Sequence, residues 1–311
     1  MAAEGTGYAQ IMGIIRRRRD GEPEPGPEDG VRGGRDAPAG GEDVAGQLAA
    51  LSAEMERTLP DAAPAVREAW YRRRGSQRAG ALVRSLTTAL GRGGKAAAKG
   101  AGYGGKVLAD RLLDAAPRIP VRSLATLRAQ HPTAATPDEL AELIALGACR
   151  SSAALGAGAG AAAMMPVPPA MPVEIAAETL SVAAVEIKLI AELHEVYGVP
   201  AQGTVAQRAT AYVGAWADGR GIDRAALIRP AGLAAMAVSS EVRQKLRKRL
   251  TRSTLRKLPS LTPLLIGAGL GATMNRRDTR RLADQVRADL AQRIPPDPDY
   301  WTAAAPRKEI D

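Results

Sequence analysis

The sequence predicts an all-α, Ala/Gly-rich multi-helix domain behind a disordered N-terminal segment. Three observations carry that expectation. Apolar residues recur at helical spacing through most of the chain, and no stretch of strand length alternates apolar with polar. Hydrophobic content is 45% with no Phe and only 3% aromatics, and Ala and Gly are abundant in the chain, so the core must be built from many thin contacts between closely approaching helices. Residues 20–45 place eight acids against Arg32 and Arg35 among Gly and Pro. That leaves too little apolar surface to offset the entropy of ordering.

Taken in order, residues 1–42 read as a tail. A basic cluster, Arg16–Arg19, is followed by the acidic Pro/Gly-rich stretch. The apolar run Ile11–Ile15 precedes that cluster, the reverse of the order in a secretory signal, and is too short to span a bilayer. Residues 43–135 read as an N-terminal helical region. Leu48, Leu51, Met55 and Leu59 share one face; a helix over 65–74 is expected to stop at Gly75, and further helices fall at 78–90 and 106–115. Residues 136–293 read as a second helical region. Thr136-Pro137-Asp138-Glu139 has an N-cap, a proline at N1 and a capping-box acid. The uncharged segment 151–173 is split by Pro166, Pro168, Pro169 and Pro172, which points to a helix, a corner and a second helix. That second helix, 173–197, ends at Gly198 with Pro200 beyond. Its Glu174, Glu178, Lys188, Glu192 and Glu195 fall on one side and are expected to face solvent. Helices at 204–217 and 222–236, a basic helix at 239–257, an uncharged segment at 258–275 and a charged helix at 276–293 follow. Residues 294–311 read as an extended tail.

The net charge of +10 favours a polyanionic partner, nucleic acid or an anionic lipid surface, without choosing between them. The single cysteine, Cys149, excludes an intramolecular disulfide and suits a reducing, cytoplasmic setting. Gly100, Gly105 and Lys106 have P-loop spacing, and Gly100, Gly102 and Gly105 fit a dinucleotide fingerprint. Neither motif follows a strand, and Val107 stands where a P-loop needs Ser or Thr, so no nucleotide is expected there. The two histidines, His131 and His194, lie far from each other and from Cys149, which is too sparse a donor set for zinc; no metal or cofactor is expected.

The most pointed feature is the basic helix. Arg243, Lys245, Arg247, Lys248, Arg249, Arg252, Arg256 and Lys257 surround a seam of Val242, Leu246 and Leu250, with Glu241 the one acid. Such a helix can meet anionic lipid or a phosphate backbone. It holds no aromatic residue on which single-stranded bases could stack.

The order of motifs over roughly residues 140–292 resembles the EcsC-like bacterial family. The matching positions are Gly156, Gly158 and Gly160; Pro172; Tyr197 and Gly198; then Gly267, Gly269, Gly271 and Asn275, with Met171 where the family usually has an acid. The resemblance implies a helical, membrane-associated bacterial protein and carries no catalytic residues with it. In both Gly-rich segments the glycines stand two apart, so 156–160 and 267–271 are expected to pack against each other or against 173–197. The expected function is a non-catalytic scaffold, cytoplasmic or peripheral at the inner face of the membrane, whose basic helix contacts anionic lipid or an acidic partner. The alternatives are a nucleic-acid-binding protein using the same helix, and an enzyme with a site near Glu174, Glu178 and His194.

Overall fold

A computed structural model describes residues 41–59, 62–91, 105–162, 171–218, 243–250 and 267–305. Residues 1–40 of the expected tail at 1–42, the loop at 100–104, the corner at 163–170, the helix at 222–236 and residues 306–311 lie outside the described residues, and the last two residues of that tail open the first helix. The chain divides into Met1–Ala37 and Pro38–Asp311, and every described residue belongs to the second unit. The regions 43–135 and 136–293 therefore share one core.

Among the described residues the fold is all-α, with no strand. The helices are α1 (Gly41–Glu56), α2 (Pro64–Gly91), α3 (Gly105–Ala115), α4 (Leu124–Gln130), α5 (Pro137–Ala162), α6 (Met171–Val196), α7 (Val205–Asp218), α8 (243–250), α9 (Gly267–Leu290) and α10 (Tyr300–Ala303). A 3-10 turn, Ala116–Arg118, links α3 toward α4.

Local chemistry sets the helix ends. Thr136 caps α5 by accepting from the Glu139 N–H at 3.2 Å, while the Glu139 carboxylate reaches the Ala135 N–H at 2.8 Å, one residue before the cap. Thr204 and Gln207 close α7 with a reciprocal pair at 3.3 and 2.8 Å, a capping box. Helix α6 ends in a Schellman turn. Gly198 takes φ +66°, the Val199 N–H reaches the His194 carbonyl at 2.9 Å, and the Gly198 N–H reaches that of Glu195 at 3.1 Å.

Two expectations about boundaries change. Gly75 does not stop a helix; α2 runs through it. A Cβ there would sit 2.9 Å from Ala154 Cβ, so the glycine marks where α2 crosses α5. Its helix-propensity penalty, about 1 kcal/mol, is outweighed by that contact. The Gly-rich stretch from 267 and the charged stretch from 276 likewise form one helix, α9.

The centre is a three-helix layer. The pairs Gly156–Gly271, Ser152–Asn275 and Glu142–Arg280 run in opposite directions along α5 and α9, which are therefore antiparallel. Glu178–Asn275 and Glu186–Thr279 run in the same direction, so α6 and α9 are parallel. Helix α7 returns antiparallel to α6 through Tyr212–His194 and Trp216–Glu186. Leu140, Ile144, Leu189, Ile190 and Leu193 are buried between these helices, each contributing roughly 1.5–3 kcal/mol. Helices α1 and α2 pack on the other side of this layer, with Leu48, Leu51 and Leu82 fully inside.

Residues 294–305 depart from the expected extended tail. Helix α10 folds back so that the Tyr300 ring covers Gly198, and Trp301 lies under Arg128, whose guanidinium carbon is 4.2 Å from the ring centre.

Candidate functional site

Helix α6 does not have a solvated face. Glu178, Glu186, Lys188 and Glu192 are all buried, because neighbours surround the helix. Glu186 and Lys188 point about 200° apart around the axis, so both sides of α6 carry charge into the core.

On one side Arg122, from the segment before α4, holds two carboxylates. Its Nε and Nη2 donate to Glu192 at 2.8 and 2.7 Å, and its Nη1 and Nη2 donate to Glu56 at 2.6 and 2.8 Å. Lys188 donates to Glu192, and His131 Nε2 lies 3.3 Å from Glu56 Oε2. Two carboxylates thus face two cations, and the cluster is neutral when His131 is neutral. Burial would raise the Glu56 carboxyl, but the bonds from His131 and Arg122 outweigh it and hold the group below the usual range. Burial pulls the Lys188 ammonium down despite Glu192 beside it. Such a matched network joins α1, the 122–131 segment and α6; removing one member leaves a buried charge exposed to its like.

On another side Glu186 accepts from Trp216 Nε1 at 2.6 Å and from Thr279 Oγ1 at 2.9 Å, with Arg249 Nη2 3.8 Å away. Farther along α6, Glu178 accepts from Asn275 Nδ2 at 3.1 Å. Asn275 sits where Gly156 meets Gly271; a Cβ on Gly156 would fall 2.5 Å from the Gly271 carbonyl oxygen and 2.7 Å from Asn275 Nδ2. Gly158 and Gly160 lie toward the end of α5, and Gly267 and Gly269 in the first turn of α9.

Of the residues of the enzyme alternative, Glu174 and Glu178 stand one turn apart on α6, and His194 is not brought to them. Glu178 and His194 lie sixteen positions apart on one straight element, about 24 Å along its axis. Glu174 is in the first turn of α6. His194 is fully buried, its Nδ1 2.7 Å from the Ile190 carbonyl and its ring edge-on to Tyr212. Burial pushes it down to about 4, so it is neutral at pH 7. Cys149 is buried and its thiol is pushed up to about 11, mainly by burial, which leaves it protonated. Among the described residues no group of three His, Cys, Asp or Glu could hold a metal ion.

The basic helix is described over 243–250. Leu246 and Leu250 are fully buried, while Arg243, Lys245, Arg247 and Lys248 are exposed. Lys245 pairs with Asp218 at 3.2 Å. Arg249 turns inward, with its guanidinium 4.3 Å above the Trp216 ring and a bond to the Trp216 carbonyl, so it anchors α8 instead of presenting charge. Arg252, Arg256 and Lys257 lie outside the described residues.

One described stretch, Pro137–Ala157 of α5, is long and apolar enough to cross a membrane by length and composition, and most of it is buried inside the bundle. No protein-family model, curated protein or solved structure matches the chain.

Proposed function

We propose that this chain is a non-catalytic helical scaffold that docks on an anionic lipid surface through α8. One observation carries the reading: the two leucines and Arg249 fix the inner side of α8 to the bundle, so Arg243, Arg247 and Lys248 are held outward on a rigid support. The resemblance to the EcsC-like family, with its membrane association, supports the same partner, and so does the excess of basic residues. The cytoplasmic side of a membrane supplies such a surface.

Co-sedimentation tests it with vesicles of phosphatidylglycerol and phosphatidylcholine beside vesicles of phosphatidylcholine alone. The chain should bind only the first, and less as salt rises. Each basic residue at such a surface contributes about 1 kcal/mol, so the triple variant Arg243→Glu, Arg247→Glu, Lys248→Glu should bind on the order of 100-fold more weakly. Salt-sensitive binding to duplex DNA without binding to vesicles would put nucleic acid in the place of lipid.

A further inference from the structure

Helix α8 does not stand alone on its side of the bundle. Lys245 and Arg249 tie one flank of it to α7, through Asp218 at 3.2 Å and the Trp216 ring at 4.3 Å. Beneath it, Arg249 lies 3.8 Å from Glu186, whose other oxygen accepts from Thr279 of α9. Helix α8 therefore rests over the groove between α7 and α9. Arg243 and Arg247 stand about 160° around α8 from the flank that meets α7, so they lie toward α9.

The outer stripe of α9 continues this surface. Met274, Arg277 and Arg281 follow one another at i, i+3 and i+7, within about 60° of one another around the axis. All three are exposed, Met274 by 50%. Thr279 fixes which way they point. Its side chain reaches inward to Glu186, and the three stand about 140–160° away from it, on the side of α9 turned away from α6. The outward sides of α8 and α9 thus open in the same direction. The acids beside the stripe are engaged: Asp284 pairs with Arg280 at 3.0 Å, and Asp278 lies close enough to act on the Arg249 charge. Arg277 and Arg281 have no ion pair among the described residues.

Positive charge therefore spans two helices, with Arg247 and Lys248 on one and Arg277 and Arg281 on the other. Met274 shares the line of the last two. A flexible thioether chain beside guanidinium groups suits a boundary that is apolar below and anionic above. A nucleic-acid backbone in water would use the arginines and leave Met274 without a role.

We propose that the outer stripe of α9 is the second half of the lipid contact that α8 begins. Met274 enters the headgroup boundary of an anionic bilayer, and Arg277 and Arg281 pair with lipid phosphates beside Arg247 and Lys248. The inference rests on the lipid-surface reading above but uses residues of another helix, so the two can fail separately.

The test labels Met274→Cys with the environment-sensitive dye nitrobenzoxadiazole. Cys149 is buried and its thiol stays protonated, so the label goes to position 274. Dye emission should rise and shift to the blue with vesicles of phosphatidylglycerol and phosphatidylcholine, and stay unchanged with phosphatidylcholine alone. The double variant Arg277→Glu, Arg281→Glu should keep the wild-type circular dichroism and sediment with the mixed vesicles about 30-fold more weakly. Arg73→Glu, Arg78→Glu makes the same change of charge at exposed positions of α2, across the central layer; it should bind like the wild type at about 0.15 M salt. Equal weakening by this control would overturn the α9 contact in favour of net charge alone. Full-strength binding by the α9 variant, with loss of binding in the α8 triple variant, would overturn the α9 contact and leave the α8 reading standing. The reverse pattern would overturn the α8 reading and leave α9. No vesicle binding by the wild type would overturn both. Binding of duplex DNA that depends on Arg277 and Arg281, with no dye response to vesicles, would overturn lipid as the partner of α9.

Discussion

Replacing Gly156 with alanine adds one methyl group where α5 and α9 meet backbone to backbone. The new Cβ would lie 2.5 Å from the Gly271 carbonyl oxygen and 2.7 Å from Asn275 Nδ2. The first obstacle is backbone, so α5 and α9 must separate. Overpacking of this kind costs about 1–3 kcal/mol. Separation also draws the Asn275 amide away from Glu178 and from the Ser152 carbonyl, leaving buried polar groups short of partners at a further cost of about 1–3 kcal/mol. Alanine returns about 1 kcal/mol through helix propensity. The net expectation is a loss of about 3 kcal/mol, a large share of the roughly 5–15 kcal/mol that holds a typical domain. Gly271→Ala meets only the Gly156 carbonyl oxygen, at 2.9 Å, and should cost less. Gly80 has nothing within 4 Å of a Cβ, so Gly80→Ala should stabilise, by about 0.5–1 kcal/mol. Urea unfolding followed by far-ultraviolet circular dichroism ranks the three. A Gly156→Ala protein with the wild-type midpoint would refute the argument, because the crossing would then have slack that the geometry denies.

Arg122→Met leaves Glu56 and Glu192 buried without their shared cation, and should cost about 3–5 kcal/mol at pH 7 in the same unfolding assay. His194 titrates near 4 in the fold against an ordinary 6.5. The unfolded chain therefore takes up the proton first, and stability falls as pH drops from about 6.5 to 4, by on the order of 3 kcal/mol. The loss levels off below that window, where folded and unfolded chains are both protonated; a His194→Gln variant should lack this part of the acid sensitivity.

Helix type was legible because periodicity, caps and terminal glycine act within a few residues. Thr136, Pro137 and Gly198 do in the structure what local chemistry requires of them. The charges of α6 were misread for the opposite reason. Grouping Glu178, Lys188 and Glu192 on one side implies solvent only if nothing packs there, and the partners Glu56, Arg122 and Asn275 are remote in sequence. A local signal did exist: Glu186 and Lys188 stand two apart, and a helix with one wet face cannot present both to water. The inward turn of Arg249 could not be foreseen from a run of like charges, since only Trp216 and Glu186 distinguish it from its neighbours. The length of α2 was hidden by reading Gly75 as a stop, because the neighbour that explains the glycine, Ala154, is remote in sequence.

The ring of Tyr300 over Gly198 has a bearing on how the chain matures. Bundles with neighbouring helices usually assemble from contacts near in sequence and fold quickly. Here the α5–α9 crossing joins positions 123 apart, at Ser152 and Asn275, and the Arg128–Trp301 contact joins positions 173 apart. During synthesis α5 and α6 leave the ribosome well before α9 and α10, with Glu178, Glu186 and the Gly156 groove awaiting partners not yet made. The nascent chain therefore passes through an interval in which its central helix is charged, apolar and uncovered.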